Sequence, residues 1–185
     1  MNGKQAKLGL VASVLAVGGL TASSAGAHGD EGGGSSTRLT GYEEVPAVST
    51  TGRGHFRAWV NEGRNRITYS LSYRKMSSEV VAAHIHLGQR SVNGGVAAFL
   101  CSDEAAPGSP PTCPDRGVVR DTITPADVIG PEAQGIAPGE FDELVRAMRS
   151  GVTYVNVHST TFPSGEIRGQ IGNHDDDDHD DDDDD

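Results

Sequence analysis

The sequence predicts an all-β fold: an antiparallel Ig-like or Greek-key β-sandwich of about eight strands with one or two short helices. Two observations carry this. From Arg38 onward the chain breaks into short segments whose apolar residues recur with a period of two, and a period of 3.6 is confined to one region between Thr124 and Ser150. With 185 residues, 35% of them hydrophobic, the chain is long enough for one sizeable core, which favours one domain.

The elements follow in order. Leu39 to Val45 is the opening strand. Phe56, Ala58 and Val60 alternate with His55, Arg57 and Trp59, and Ile67, Tyr69, Leu71 and Tyr73 alternate with Thr68, Ser70 and Ser72. The two runs flank a turn at Glu62-Gly63, so they read as a hairpin with one buried face. Further strands are expected at Val80 to Leu87, Gly95 to Cys101, Gly117 to Thr122, Val152 to His158 and Glu166 to Ile171. Thr124-Pro125-Ala126-Asp127 combines a cap residue, a proline at the first helical position and an acid in the first turn, which predicts a short helix ending by Gly130. Phe141, Leu144, Val145 and Met148 fall at i, i+3, i+4 and i+7, predicting a second helix from about Gly139 to Ser150 with Gly151 as the stop.

The N-terminus reads as a secretory signal peptide, residues 1–27. Lys4 and Lys7 supply charge, Leu8 to Leu20 the apolar run, and Ala25-Gly26-Ala27 the small-residue cleavage site, so the exported chain begins at His28. Residues 28–37 are a Gly/Ser-rich flexible lead, 38–172 the folded domain and 173–185 a disordered His/Asp-rich acidic tail. No later segment is apolar enough to span a bilayer. The expected location is secreted and extracytoplasmic. Cys101 and Cys113, the only cysteines, read in that setting as a disulfide pinning a Pro-rich loop, with a two-cysteine metal site as the rival.

Charge is unevenly placed. The formal net charge is −11, but ten of the 26 acids fall between His174 and Asp185. Residues 28–173 carry 16 acids against 13 bases. Such a body with an anionic tail disfavours nucleic acid as the main partner. Divalent cations collected by the tail's carboxylates fit better, with a plain solubilising role as the alternative and an extracellular protein as a further candidate partner.

The sequence holds no dinucleotide-binding glycine motif, no phosphate loop, no nucleophile elbow and no distinctive carboxylate pair, so no catalytic residues are assigned. Its chemistry lies in histidines. Strand periodicity puts His84 and His86 on one face, about 6.6 Å apart at Cα. His158 shares a strand face with Tyr154 and Asn156, opposite Val155 and Val157. Three neutral imidazoles suit copper or zinc and match calcium or magnesium poorly. The alternative is that these rings hydrogen-bond across strands or face solvent. His55 is a further candidate ligand, and His28, freed by cleavage, could chelate copper through its amine and ring.

Four separated motifs carry a family resemblance. Leu39-Thr40-Gly41 with Glu44-Val45-Pro46, Ala83-His84-Ile85-His86-Leu87-Gly88, Tyr154-Val155-Asn156-Val157-His158-Ser159, and Pro163-Ser164-Gly165-Glu166-Ile167-Arg168-Gly169-Gln170-Ile171 together resemble the CHRD domain, over about Arg38 to Gly172. The resemblance implies a β-sandwich domain of extracytoplasmic proteins. The histidine layout more weakly resembles that of Cu,Zn superoxide dismutase, which implies copper ligation by His84, His86 and His158 with Arg168 nearby. Between the histidine pair and the C-terminal strand there is no run of closely spaced histidines and aspartate of the kind that builds the zinc site and bridging imidazole of that family, so what carries over is a mononuclear copper or zinc site. A copper-dependent superoxide or redox enzyme and a structural or adhesive extracellular protein are the rival readings to a binding module.

Overall fold

The structure, a computed structural model, describes residues 34–173. The expected signal peptide and its cleavage point, His28 with the first part of the lead, and residues 174–185 lie outside the described residues. Nine strands form one sheet: β1 (Gly34–Thr40), β2 (Arg53–Asn61), β3 (Arg66–Arg74), β4 (Val80–Leu87), β5 (Val96–Ser102), β6 (Gly117–Ile123), β7 (Thr153–Ser159), β8 (Ile167–Gln170) and β9 (Gly172–Asn173). Their order is β5-β4-β7-β8-β1-β2-β3-β6, with β9 also paired to β1. Every described pairing is antiparallel.

The end strands β5 and β6 approach within 8 Å at Cα, so the sheet nearly closes on itself. The pairings therefore establish the all-β antiparallel class and a single, nearly closed sheet. They do not divide it into the two sheets of an Ig-like or Greek-key sandwich. Side chains tie the seam. The Tyr69 hydroxyl donates to the Leu100 carbonyl of β5 (2.6 Å), and the Tyr73 hydroxyl donates to the Pro114 carbonyl in the loop that leads into β6 (2.5 Å). Cys101 and Cys113 form a disulfide across the loop from β5 to β6.

Alternation decides what faces inward. Phe56, Ala58 and Val60 from β2 and Ile67, Tyr69, Leu71 and Tyr73 from β3 are all buried, as predicted. They meet Ala83 and Ile85 from β4, Leu100 from β5, Val155 and Val157 from β7 and Ile167 from β8 in one core. Burying each large aliphatic or aromatic side chain stabilises the fold by about 1.5–3 kcal/mol before ordering entropy is subtracted. Helix α1 (Phe141–Arg149) adds Phe141, Leu144, Val145 and Met148 to this core, with Asp142 and Glu143 in its first turn and Arg146 and Arg149 in its last. The shorter expected helix is a single 3-10 turn, Pro125–Asp127, where Asp127 accepts the Thr124 backbone N–H (2.8 Å).

Boundaries differ at the two ends of the domain. β1 begins at Gly34, inside the stretch read as a lead, and ends at Thr40, followed by a 3-10 turn over Gly41–Glu43. Polar Ser35 and Ser36 become strand because β2 lies on one side of them and β9 on the other. Asn173, read as the first residue of the tail, belongs to β9.

The disulfide fixes the loop that brings the two sheet ends together. Replacing both cysteines by serine in the full chain is expected to cost about 2–3 kcal/mol in urea-unfolding free energy, the loop-closure value for a short loop. An unchanged unfolding midpoint would show that the tyrosine contacts alone hold the seam.

Candidate metal centre

The site is built on the pairing of β4 with β7. In that register His84 faces Asn156, His86 faces Tyr154 and Ala82 faces His158. His158 is therefore diagonal to His84, and the small Ala82 beside it leaves room for the two rings to meet. On the other side of β4 the ladder to β5 shifts register on either side of His84 and Ile85, a bulge of the kind that re-aims side chains next to sites.

The outer face of this strand pair is covered. The Asn156 amide donates to both carboxylate oxygens of Glu44 (2.7 and 2.9 Å), the Asn93 amide donates to the Val45 carbonyl (3.0 Å), and the Gly94 N–H donates to the Tyr154 hydroxyl (3.1 Å). Two loops thus lie over the histidines. His84 and His86 retain only 8% and 9% of their accessible surface, and His158 is partly buried.

The structure brings all three predicted residues together. The candidate ligand atoms of His84, His86 and His158 lie within 4.8 Å of one another, and these three are the group singled out among the described residues. His55 is not part of it: it sits on β2, opposite Arg38 and Ser72. Burial, then the nearby Arg57 and Arg38, hold its pKa below the ordinary value.

Carbonyl partners fix the tautomers. His158 Nδ1 lies 2.9 Å from the Pro163 carbonyl and His86 Nδ1 lies 3.0 Å from the Gly94 carbonyl. A carbonyl only accepts, so both Nδ1 atoms carry the proton and both Nε2 atoms present lone pairs. His84 Nδ1 then donates to His158 Nε2 at 3.1 Å, leaving a lone pair on His84 Nε2 as well. The buried Nε2 atoms of His84 and His86 have no hydrogen-bond partner. An Nδ1–H held by a carbonyl with a free Nε2 is the arrangement that metal-ligating histidines use.

The rings are also held neutral. Burial, followed by repulsion from His158 and His86, pushes His84 down to about 3. Burial pushes His86 down to about 4 against the Gly94 hydrogen bond, and lowers His158 against its bond to Pro163. Neutral imidazole is the ligating form. Distances add a further point. The candidate ligand atoms span up to 4.8 Å, beyond the roughly 4.2 Å that two nitrogens on one ion can span, and His158 Nε2 is engaged by the His84 Nδ1–H at 3.1 Å. Coordination by all three therefore requires one ring to swing inward.

Tyr154 and Arg168 brace His86. The Tyr154 ring stacks on His86 (centroids 4.8 Å, 5° between planes), and the Arg168 guanidinium carbon lies 3.4 Å from the Tyr154 ring centroid. Arg168 is 2% exposed, and its terminal nitrogens donate to Asn93 Oδ1 and to the carbonyls of Gln89 and Val92. The dismutase-like resemblance places Arg168 beside the site, and it is there, but its donors hold the loop over residues 89–93. Burial raises Glu44 to about 7, with Arg168 and the Asn156 hydrogen bond opposing the shift. Tyr154 and Asn156 were legible from strand alternation. Nothing in the sequence marks the Gly94 and Pro163 carbonyls, because any residue supplies one.

The CHRD domain model matches residues 35–171, which contain every residue of this site. The chain belongs to the CHRD domain family. No curated protein and no solved structure matches it. The motif residues of this CHRD domain have physical roles. Gly165 has φ +128°, and a Cβ there would strike the Asn156 amide and the Glu44 carboxylate; one at Gly169 would strike the Arg38 carbonyl of β1. Between them Glu166, fully buried, accepts from the Thr50 hydroxyl (2.7 Å), the Ser77 N–H and hydroxyl (both 2.8 Å) and the Ser159 hydroxyl (2.5 Å). It fastens two loops to the end of β7, next to His158.

Burial raises the Glu166 pKa, but these hydrogen bonds outweigh it and leave the carboxyl below its ordinary value of 4.5. As pH falls, the unfolded chain takes up this proton first, so the stabilisation is present above about 4.5 and is lost as pH falls through the lower folded value. Glu166→Gln is expected to destabilise the domain by about 1.5–3 kcal/mol at pH 7, the worth of a charge-assisted hydrogen bond. It should also flatten the acid limb of a plot of unfolding midpoint against pH. An acid limb as steep as that of the parent chain would remove Glu166 from this role.

Proposed function

We propose that this CHRD domain is a secreted binding module that takes up one transition-metal ion, copper or zinc, through His84, His86 and His158. The observation that carries the proposal is the pair of buried, unpartnered Nε2 lone pairs on His84 and His86 beside His158. A buried acceptor without a donor costs about 1–3 kcal/mol, and a metal ion is a group that offsets this for several imidazoles at once. Nitrogen-only ligation favours copper and zinc over calcium and magnesium.

Secretion is supported by the N-terminal pattern ending at Ala27 and by the disulfide, which persists in oxidising compartments. Among the described residues no helix is long and apolar enough to cross a membrane. A binding role is preferred to a copper redox enzyme on one observation: the arginine beside the site is buried and both its terminal nitrogens donate to a loop.

Titration of the full chain with Cu(II) or Zn(II) is expected to show one tight equivalent that disappears in His84→Ala and in His158→Ala. Loose binding to the aspartate run stays the same in all three proteins. The tight site should weaken by more than the 10–100-fold that losing a supporting hydrogen bond typically costs. Identical isotherms for the parent and both variants would leave a structural module with incidental histidines. Copper-dependent consumption of superoxide above that of the His84→Ala variant would move the reading to the redox enzyme.

A further inference from the structure

Among the described residues, the outer face of β1, β2, β3 and β6 carries positive charge and no acid. Register places its side chains on a grid. Arg53 pairs directly with Arg74, Arg38 with His55, and Arg57 lies between Ser36 and Ser70, with Arg120 beyond Ser70. Arg66 stands opposite Asn61. The remaining outward positions of these strands are Gly34, Thr40, Trp59, Thr68, Ser72, Val118 and Thr122, so among the described residues the face has six arginines and no aspartate or glutamate. All six arginines are exposed. The ion pairs described elsewhere use Arg90, Arg146 and Arg149 instead.

Such an arrangement is unfavourable by itself. Like charges directly opposite on neighbouring strands destabilise a sheet, and Arg53 faces Arg74. A cleft of about 910 Å³ opens on the same region, lined by Arg38, Arg53, His55, Arg74 and Arg116 among others, and it contains no acid. The lowered pKa of His55, caused first by burial and then by Arg57 and Arg38, reports the same positive field. The surface fits an anionic chain of closely spaced carboxylates.

The sequence contains one. Residues 174–185 hold ten aspartates and follow directly on β9, where Asn173 pairs with Ser35 and Gly172 with Ser36 on β1, the first strand of the arginine face. Four strand spacings of about 4.8 Å separate β9 from β6, about 19 Å in all. Twelve residues reach up to about 40 Å when extended. Length, point of departure and charge all agree.

We propose that the arginine face of β1, β2, β3 and β6 is the docking surface for the chain's own aspartate run, residues 174–185, bound in cis through guanidinium–carboxylate pairs. The tail and the face then neutralise each other, and the body's near-zero net charge conceals an arginine pole complementary to the tail.

Trp59, the only tryptophan, is half exposed on this face, opposite Gly34 of β1, and reports on it directly. The test compares the full chain with a full chain whose aspartates in 174–185 are replaced by serine, both in EDTA so that no cation competes. The native chain is expected to protect Trp59 from acrylamide quenching relative to the serine-tailed chain, and the protection should vanish near 1 M NaCl, where charges are screened within about 3 Å. A labelled deca-aspartate peptide should bind the serine-tailed chain about tenfold more tightly, because a tethered tail competes at roughly millimolar effective concentration. Arg57→Ser with Arg120→Ser in the native-tailed chain should raise quenching towards the serine-tailed value. Equal quenching and equal peptide affinity in the two tails would overturn the proposal. Protection that grows with protein concentration alongside dimer formation in sedimentation would assign the tail to a second copy and overturn docking in cis. Neither readout depends on metal, so the outcome is independent of the histidine site.

Discussion

The pairing of β4 with β7 is the constraint on which the site depends. Both faces of this strand pair are buried, the inner one in the core and the outer one beneath the loops that carry Glu44 and residues 88–94. A buried polar group needs a partner, and beside Ala82 the outer face carries His84, His86, Tyr154, Asn156 and His158. The fold satisfies most of them. Asn156 binds Glu44, Tyr154 accepts from Gly94, and two imidazole Nδ1 atoms donate to carbonyls. What remains is a pair of unpartnered Nε2 atoms, on His84 and His86, beside a third imidazole.

Rigidity around that pair comes from layers of packing. Phe99 meets the His84 ring edge-on at 4.5 Å, and the Tyr154 ring lies flat against His86 while touching Arg168. Arg168 in turn draws the loop over residues 89–93 onto the sheet, and Glu166 draws in the loops bearing Thr50 and Ser77. Two buried charges on alternate positions of the C-terminal motif, Glu166 and Arg168, thus hold the cover over the site. This gives a physical reason for the motif Gly165-Glu166-Ile167-Arg168-Gly169: the glycines allow close approach and the charged residues fasten loops.

Much of this was legible in the sequence because period-two alternation is strict where one face packs on a core. The hairpin of β2 and β3, the bounds of β4 and the stripe of α1 follow from it directly. Alternation also put His84 and His86 on one face and His158 with Tyr154 and Asn156 on another. It does not say which strands are neighbours, so the meeting of His158 with His84 emerged only with the β4–β7 register. At the near-closure of the sheet the Tyr69 hydroxyl reaches the Leu100 carbonyl of β5, a contact that leaves no sequence signal. The strand character of Ser35 and Ser36 depends on β2 and β9, distant in sequence. Charge behaved likewise: a nearly balanced body conceals an arginine face that appears only when four strands are placed side by side.

The three clustered imidazoles offer nitrogen ligands in a chain that also carries ten tail aspartates able to hold cations through oxygen. X-ray absorption at the copper edge, on the full chain loaded with one equivalent of Cu(II), separates the two directly. Ligation at the histidine cluster is expected to give three imidazole nitrogens at about 2.0 Å with the multiple scattering of rigid rings. A shell of carboxylate and water oxygens without imidazole scattering would place the metal on the tail and contradict it.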